Sequence, residues 1–449
     1  MKKTLIILTI VTLILVAAFS FSGCSLIAKA QGKTYISYVQ SGAYSSGNAE
    51  EDIIPEDILI NWYGGSVNIT QYDGDKIVFF EKANKELTDA LKLHWAFWDS
   101  SEYGKYYSIK YCAKGMYDLS EIKKDLYVLL PKDTLSYNQI SVTARGECSI
   151  NIDLPDVSVI GECQGNPNVH LDAEWGNIDA AFKDVDSFRM IGDADEVANQ
   201  YFRRLTAQKV GTIDCVASFN KFIFNVDEIK SSAEIKTFSG DVFFSCYGNV
   251  RSLNIDGGLG TKYVFAHSFN KLNFKSKTGI IGVAMNYKQA FQVTMSNYNE
   301  YGANLAYKDP TFVGKIAYVL EEDLQPGDPD DKLDLVHEGD TWIVRGGKDK
   351  VNVSSGADVY FGNNSQALYD IFVETGVFDN IYDTPNVEIP DEYKTQDSQQ
   401  NGNNNQDPQY DPNNPNGDPN YNQDPNGNGQ DPNNNNQNWI NKRQAMLVD

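Results

Sequence analysis

From Ile58 onward the apolar residues fall on alternate positions: Ile58, Ile60 and Trp62, then Val67 and Ile69, then Ile77 and Phe79. A period of two marks a strand with one buried face. Between these runs stand Gly64-Gly65 and Asp73-Gly74, the two-residue turn chemistry of β-hairpins. The alternation continues through Leu91, Leu93, Trp95 and Phe97, and through Leu126, Val128 and Leu130, until Pro131 breaks the strand. The pattern predicts an all-β chain whose region 56–135 is rich in hairpins.

Beyond residue 136 a longer rhythm sets in. A glycine opens an apolar run and an asparagine closes it from Gly211 to Asn220, Gly240 to Asn249 and Gly260 to Asn270. Each run leads into a second short alternation, at Phe222/Phe224, Leu253/Ile255 and Leu272/Phe274. Glycines 211, 240, 260, 279 and 302 are 29, 20, 19 and 23 residues apart, the spacing of units that stack. One such unit buries its apolar face only against a neighbour. Residues 136–366 are therefore expected to form a β-solenoid of on the order of ten layers and roughly 50 Å. The alternative is one or two antiparallel β-sandwiches, which short strands with Gly/Asn turns also build. Two segments carry helical spacing. Val197, Tyr201, Phe202 and Leu205 suggest an insertion, and Leu368, Ile371 and Phe372 after Ser365 suggest that 367–394 covers the last layer.

The flanks differ in kind. Lys2 and Lys3 precede an apolar run from Leu5 to Phe21, the pattern of a secretory signal. Phe21-Ser22-Gly23-Cys24 then looks like a bacterial lipobox, which makes 1–23 the signal peptide and Cys24 the residue expected to carry lipid. Cleavage after Ala28-Lys29-Ala30 and an uncleaved anchor are the rival readings. Residues 24–55 read as a flexible tether. The tail, 395–449, is rich in Asn, Pro, Asp and Gln, lacks Lys and Arg as far as 441 and repeats Asp-Pro from Asp407 to Asp431. Such a composition does not fold alone.

Ile58 to Asp75, then Glu86-Leu-Thr-Asp, Lys92-Leu-His-Trp95, Leu126 to Asp133 and the turn Ser239-Gly-Asp-Val242, resemble the bacterial putative-adhesin domain family over roughly 56–366. The resemblance implies a cell-envelope protein of stacked β repeats with no established enzymatic activity.

Composition narrows the partners. A formal charge of −23 repels polyanions, so nucleic acid is not expected, whereas envelope or host proteins and glycans are. Five cysteines remain besides Cys24: Cys112, Cys148, Cys163, Cys215 and Cys246. An odd number cannot all pair internally, though Gly-Glu-Cys recurs at 146–148 and 161–163 and leaves a Cys148–Cys163 disulfide open. No motif for nucleophilic, phosphate or zinc chemistry occurs, and no cofactor, metal or catalytic residue is assigned. His94, His170, His267 and His337 lie far apart in sequence. Asp328-Pro-Asp-Asp331 with Asp334 lacks the glycine and glutamate of a calcium loop. Alternation sends Trp95 inward and leaves Trp98 free for a ligand. The reading is a non-enzymatic binding or scaffold protein, lipid-anchored on the extracytoplasmic face of the cell membrane. The alternative is a polysaccharide-acting enzyme on a parallel β-helix, and a scaffold for a membrane complex is a third.

Overall fold

A computed structural model describes residues 33–36, 44–100, 104–163, 166–192, 201–277, 279, 281–285, 290–296, 316–319, 335–338, 341–344, 346–355, 359–362 and 383–394. Cys24, Val197, Leu368, Ile371, Phe372, Gly302, Asp328–Asp331, Asp334 and the 395–449 tail lie outside these residues.

Strands stack in parallel and in register, which makes the chain a β-solenoid and excludes the antiparallel sandwich. Each layer has two main strands. In spatial order the layers are 104–110 with 124–131, 57–63 with 66–72, 139–145 with 148–154, 169–175 with 178–182, and 187–192 with 202–207. They continue as 212–217 with 221–226, 232–237 with 242–246, 253–259 with 262–266, and 271–276 with 281–285. The last two are 349–355 with 359–362, then 291–296 with 316–319. That makes eleven layers among the described residues, at about 4.8 Å each. A short third side closes the section through the column Tyr137, Val159, Val185, Val210, Ile229, Val250 and Phe269.

The boundary at 136 does not divide the stack, because 57–72 and 104–131 are layers too. Gly64-Gly65 makes no hairpin: Asp57–Tyr72 is one strand that bends there, with φ of 71° and 79°. A Cβ on Gly65 would collide with the Lys124 backbone of the next layer, so only glycine fits this corner. The later glycines show the repeat directly. A Cβ on Gly260 would strike the Gly240 carbonyl, and one on Gly279 the Gly260 carbonyl, so these three sit at one corner of successive layers. Gly211 opens a different corner, which explains its longer spacing.

The two main walls bury their residues differently. On the first wall, side chains such as Ile140, Val142 and Ala144 point inward and are buried, while alternate residues are partly exposed. On the second, runs such as Phe222 to Val226 and Val242 to Cys246 are buried on both faces. Phe243 and Tyr263 lie on its outer face, stacked at 5.3 Å and each 1% exposed.

Antiparallel strands occupy edges at both ends that would otherwise recruit other chains. At one end Ile77–Ala83 pairs with Lys124–Pro131, and His94–Ser100 with Gly104–Lys110. Ser45–Ser46, Ala49–Glu51 and Thr34–Ile36 add to this cap, so part of the expected tether is paired strand. At the other end Thr341–Val344 pairs antiparallel with Phe291–Ser296. The stretch expected to cover the last layer instead lies, over 383–394, at the opposite end: Ile389 and Tyr393 pack on the cluster of Val78, Phe80 and Leu129, with Tyr393 stacked 5.2 Å from Phe80. The expected helical insertion is also corrected, since Phe202 and Leu205 belong to strand Phe202–Ala217 and pair with Lys221 and Phe224. Leu205 is buried inside the stack, where pairing with both neighbouring layers outweighs its helical spacing.

Buried cations lie within this apolar interior. Lys124 ion-pairs with Glu81 at 2.6 Å, donates to the carbonyls of Leu91 and Tyr111, and sits over the Trp62 and Tyr111 rings. Arg203 donates to the carbonyls of Ala173 and Gly176. Lys262 donates to the carbonyls of Leu259 and Gly260 and to the Ser276 hydroxyl. Each cation satisfies backbone acceptors at a corner, where a buried carbonyl without a partner is costly.

Candidate binding face

The first wall offers outward positions that no described strand covers, and its parallel register sorts them into columns. One column runs Ser108, Leu59, Ser141, His170, Arg189, Asp214, Glu234, Asn254, Asn273 and Asn352. The next runs Lys110, Asn61, Thr143, Asp172, Ile191, Val216, Lys236, Asp256 and Lys275. Charges on this face meet their opposites: Arg145 with Asp172 at 2.7 Å, Arg189 with Asp214 at 3.5 Å, Lys236 with Glu234 at 2.7 Å and Lys275 with Asp256 at 3.5 Å. Pairs this exposed add little stability. Their effect is to mute the local field of a strongly acidic chain.

At the end of the face capped by His94–Ser100 is a cleft of about 500 Å³. Register builds it: Tyr106, Asp57 and Gln139 align across three layers, with Leu59, Ser141 and His170 beside them. Asn166 and Pro167 form one rim, and Gln139 Nε2 donates to the Pro167 carbonyl at 3.1 Å. Tyr106 is stacked with Trp98 at 6.4 Å and an interplanar angle of 20°. Tyr44 meets Trp98 edge-on at 6.3 Å and bonds Ser108 Oγ at 3.0 Å. Asp57 accepts from the Gln139 backbone N–H, yet its Oδ1 is buried without a partner. Burial, with the nearby Glu56 carboxylate second, pushes the Asp57 carboxyl up to about 6. Burial also holds His170 below the ordinary histidine value, so its imidazole is neutral at pH 7 and can both donate and accept.

A second cleft, of about 860 Å³, lies between 386–394 and the second wall. Asp153 and Asp156 line it together with Lys132, Lys183 and Tyr72. Burial, followed by the charges of Asp179 and Asp156, pushes the Asp153 carboxyl up to about 6. Asp179 is itself clamped by Arg204, both being almost fully buried.

The structure separates the residues singled out from sequence. Among the histidines whose side chains are described, His170 lines a cleft. His94 donates from Nδ1 to the Lys92 carbonyl at 2.9 Å, and His267 is exposed. Trp95 packs against Phe79 at 5.0 Å as core, whereas Trp98 backs the cleft. The five described cysteines are free thiols, with Cys163 half-buried and the others buried, so Cys148 and Cys163 form no disulfide. Burial drives the Cys112 and Cys246 thiols up to about 12, which leaves them protonated and inert. Among the described residues no group of His, Cys, Asp and Glu is placed to hold a metal ion. No helix there is long and apolar enough to cross a membrane. Sequence reasoning missed Asp57, Tyr106 and Gln139, because a register spanning 82 residues from 57 to 139 brings them together and no local motif announces it.

No protein-family model matches the chain, and no curated protein does. Among solved structures, a putative cell adhesion protein from Clostridium sporogenes is similar over 71% of this chain and 99% of its own, at 9% identity and a TM-score of 0.17. That likeness is too slight to bear on fold or role.

Proposed function

We propose that this chain is a lipid-anchored protein of the extracytoplasmic face of the cell membrane that binds a glycan or protein of the envelope or of a host without transforming it. The observation that carries the reading is the first wall: a long ordered surface of alternating polar side chains, its charges paired, ending in a cleft backed by aromatic rings. The lipobox ending in Cys24 and the resemblance of 56–366 to the putative-adhesin family support the address. Incubating the mature protein with arrays of envelope glycans and matrix proteins tests the binding role. Saturable binding is expected, and its absence on every array would end this reading. Mass measurement of the mature N-terminus tests the anchor, with diacylated Cys24 expected and a free Gln31 opposing it.

A second reading is hydrolysis of a polysaccharide. It is favoured by one observation, the Asp153 carboxyl raised beside Asp156 in the larger cleft, since perturbed acids in clefts are catalytic candidates. Release of reducing ends from wall glycan, abolished by Asp153→Asn, would establish it.

A further inference from the structure

We propose that the cleft between Tyr106, Asp57 and His170 is a subsite for one neutral sugar ring, an assignment that rests on the binding role given above. The aromatic pair supplies the first half of the recognition. Tyr106 lines the cleft and is backed by Trp98, which holds it as a flat apolar surface for the C–H face of a pyranose. The polar side supplies the second half. Asp57, Gln139, Ser141 and His170 stand on adjacent layers at about 4.8 Å, so their acceptors and donors meet hydroxyls on different edges of one ring. Asp57 Oδ1 lacks a partner within the protein, and a ligand hydroxyl that donates to the carboxylate would relieve that deficit.

Charge selects among sugars. None of the described residues lining the cleft is Lys or Arg. Two cations close enough to act on His170, Arg145 and Arg189, already face Asp172 and Asp214. An acidic sugar would meet the Asp57 carboxylate with no counter-charge to offset it. The volume, about 500 Å³, accommodates one ring with its neighbours running out along the open wall, and falls within the usual range for small-ligand sites.

The test titrates the full mature chain, by calorimetry, with neutral tetrasaccharides of glucose, galactose and N-acetylglucosamine and with tetragalacturonate. At least one neutral tetrasaccharide should bind, and tetragalacturonate at least tenfold more weakly. Asp57→Asn and Tyr106→Ala should each weaken that binding tenfold or more. Tyr106→Phe, which keeps the ring, and Lys230→Gln, exposed beyond Ile229 on the third side, should leave it within twofold. Unchanged melting temperatures show that the variants fold, and Tyr106→Phe remains informative if Tyr106→Ala does not. Neutral binding indifferent to both cleft substitutions, or a preference for tetragalacturonate, would overturn the subsite while leaving the wall as a binding surface. Absence of any saccharide binding would also overturn it, and the protein arrays would then decide the broader role separately.

Discussion

The two main walls are made of the same parallel strands at the same spacing, yet they are chemically unlike. The first reads inward-apolar and mostly outward-polar, with Leu59, Ile191 and Val216 as apolar outward residues. From Ile178 onward the second is buried on both faces, as the sheets of α/β proteins are, whereas Ser149, Asn151 and Asp153 stay half-buried. Its outer face holds Ile223, Phe243, Tyr263 and Phe265 and, toward the capped end, Asn68, Asp179 and Arg204, all buried. One wall is therefore freer to vary its outer residues without cost to the fold, and the cleft that no Lys or Arg lines lies there. The other wall uses both faces for stability.

Several substitutions would break or sharpen this contrast. The largest effect is expected at the buried pair on the second wall, where Arg204→Ala leaves the Asp179 carboxylate without its partner and should destabilise by about 4 kcal/mol in urea melts. Restoring shape without charge, as Arg204→Met with Asp179→Leu, should recover most of that loss. Next comes the apolar outer face: Tyr263→Ser should cost about 3 kcal/mol, read as a lower urea midpoint at unchanged slope.

Two ionisable groups follow. Burial lowers Lys262 from 10.5 to about 8, so between these values the unfolded chain holds a proton that the folded chain has released. Stability from this group rises with pH across that window, by about 2 kcal/mol, and the difference from Lys262→Met measured at pH 7.5 and 10.5 should show it. Asp153 is the opposite case. Its carboxyl is raised from 3.8 to about 6, so the folded chain binds the extra proton and stability falls as pH climbs through that interval. Asp153→Asn should stabilise by about 1 kcal/mol at pH 7 and by little at pH 4. The smallest effect belongs to the open wall, where Asn254→Ser should change stability by less than about 0.5 kcal/mol. A loss there as large as that at Tyr263 would erase the distinction between the walls.

The open wall was the legible one. Ile58/Ile60/Trp62, Leu253/Ile255 and Leu272/Phe274 alternate as a half-buried strand must, and the structure places each of them inward. Gly240, Gly260 and Gly279 announced a layer of about twenty residues because backbone of one layer presses on the next at that corner. The doubly buried wall was harder to read: Phe222/Phe224 gave the inward face, as the structure has it, but runs such as Val242-Phe-Phe-Ser-Cys246 are apolar on both faces and conceal which one is outer. Parallel stacking at Gly64-Gly65 was hidden for another reason: two adjacent glycines serve a hairpin and a solenoid corner equally. The cleft was the least visible. Tyr106, Asp57 and Gln139 share no motif, and Tyr106 comes from a layer that precedes Asp57 in space but follows it along the chain.

That reversal of order recurs at the far end. Strand Asp57–Tyr72 enters between 104–131 and 139–154, and 349–362 enters between 271–285 and 291–319. Each extremity of the winding is thus tucked beneath one later or earlier coil, as a whipped rope hides its ends. Once the outer cap strands have come away, a pull on either flank would reach a strand gripped by backbone bonds on both edges and would have to shear two seams there.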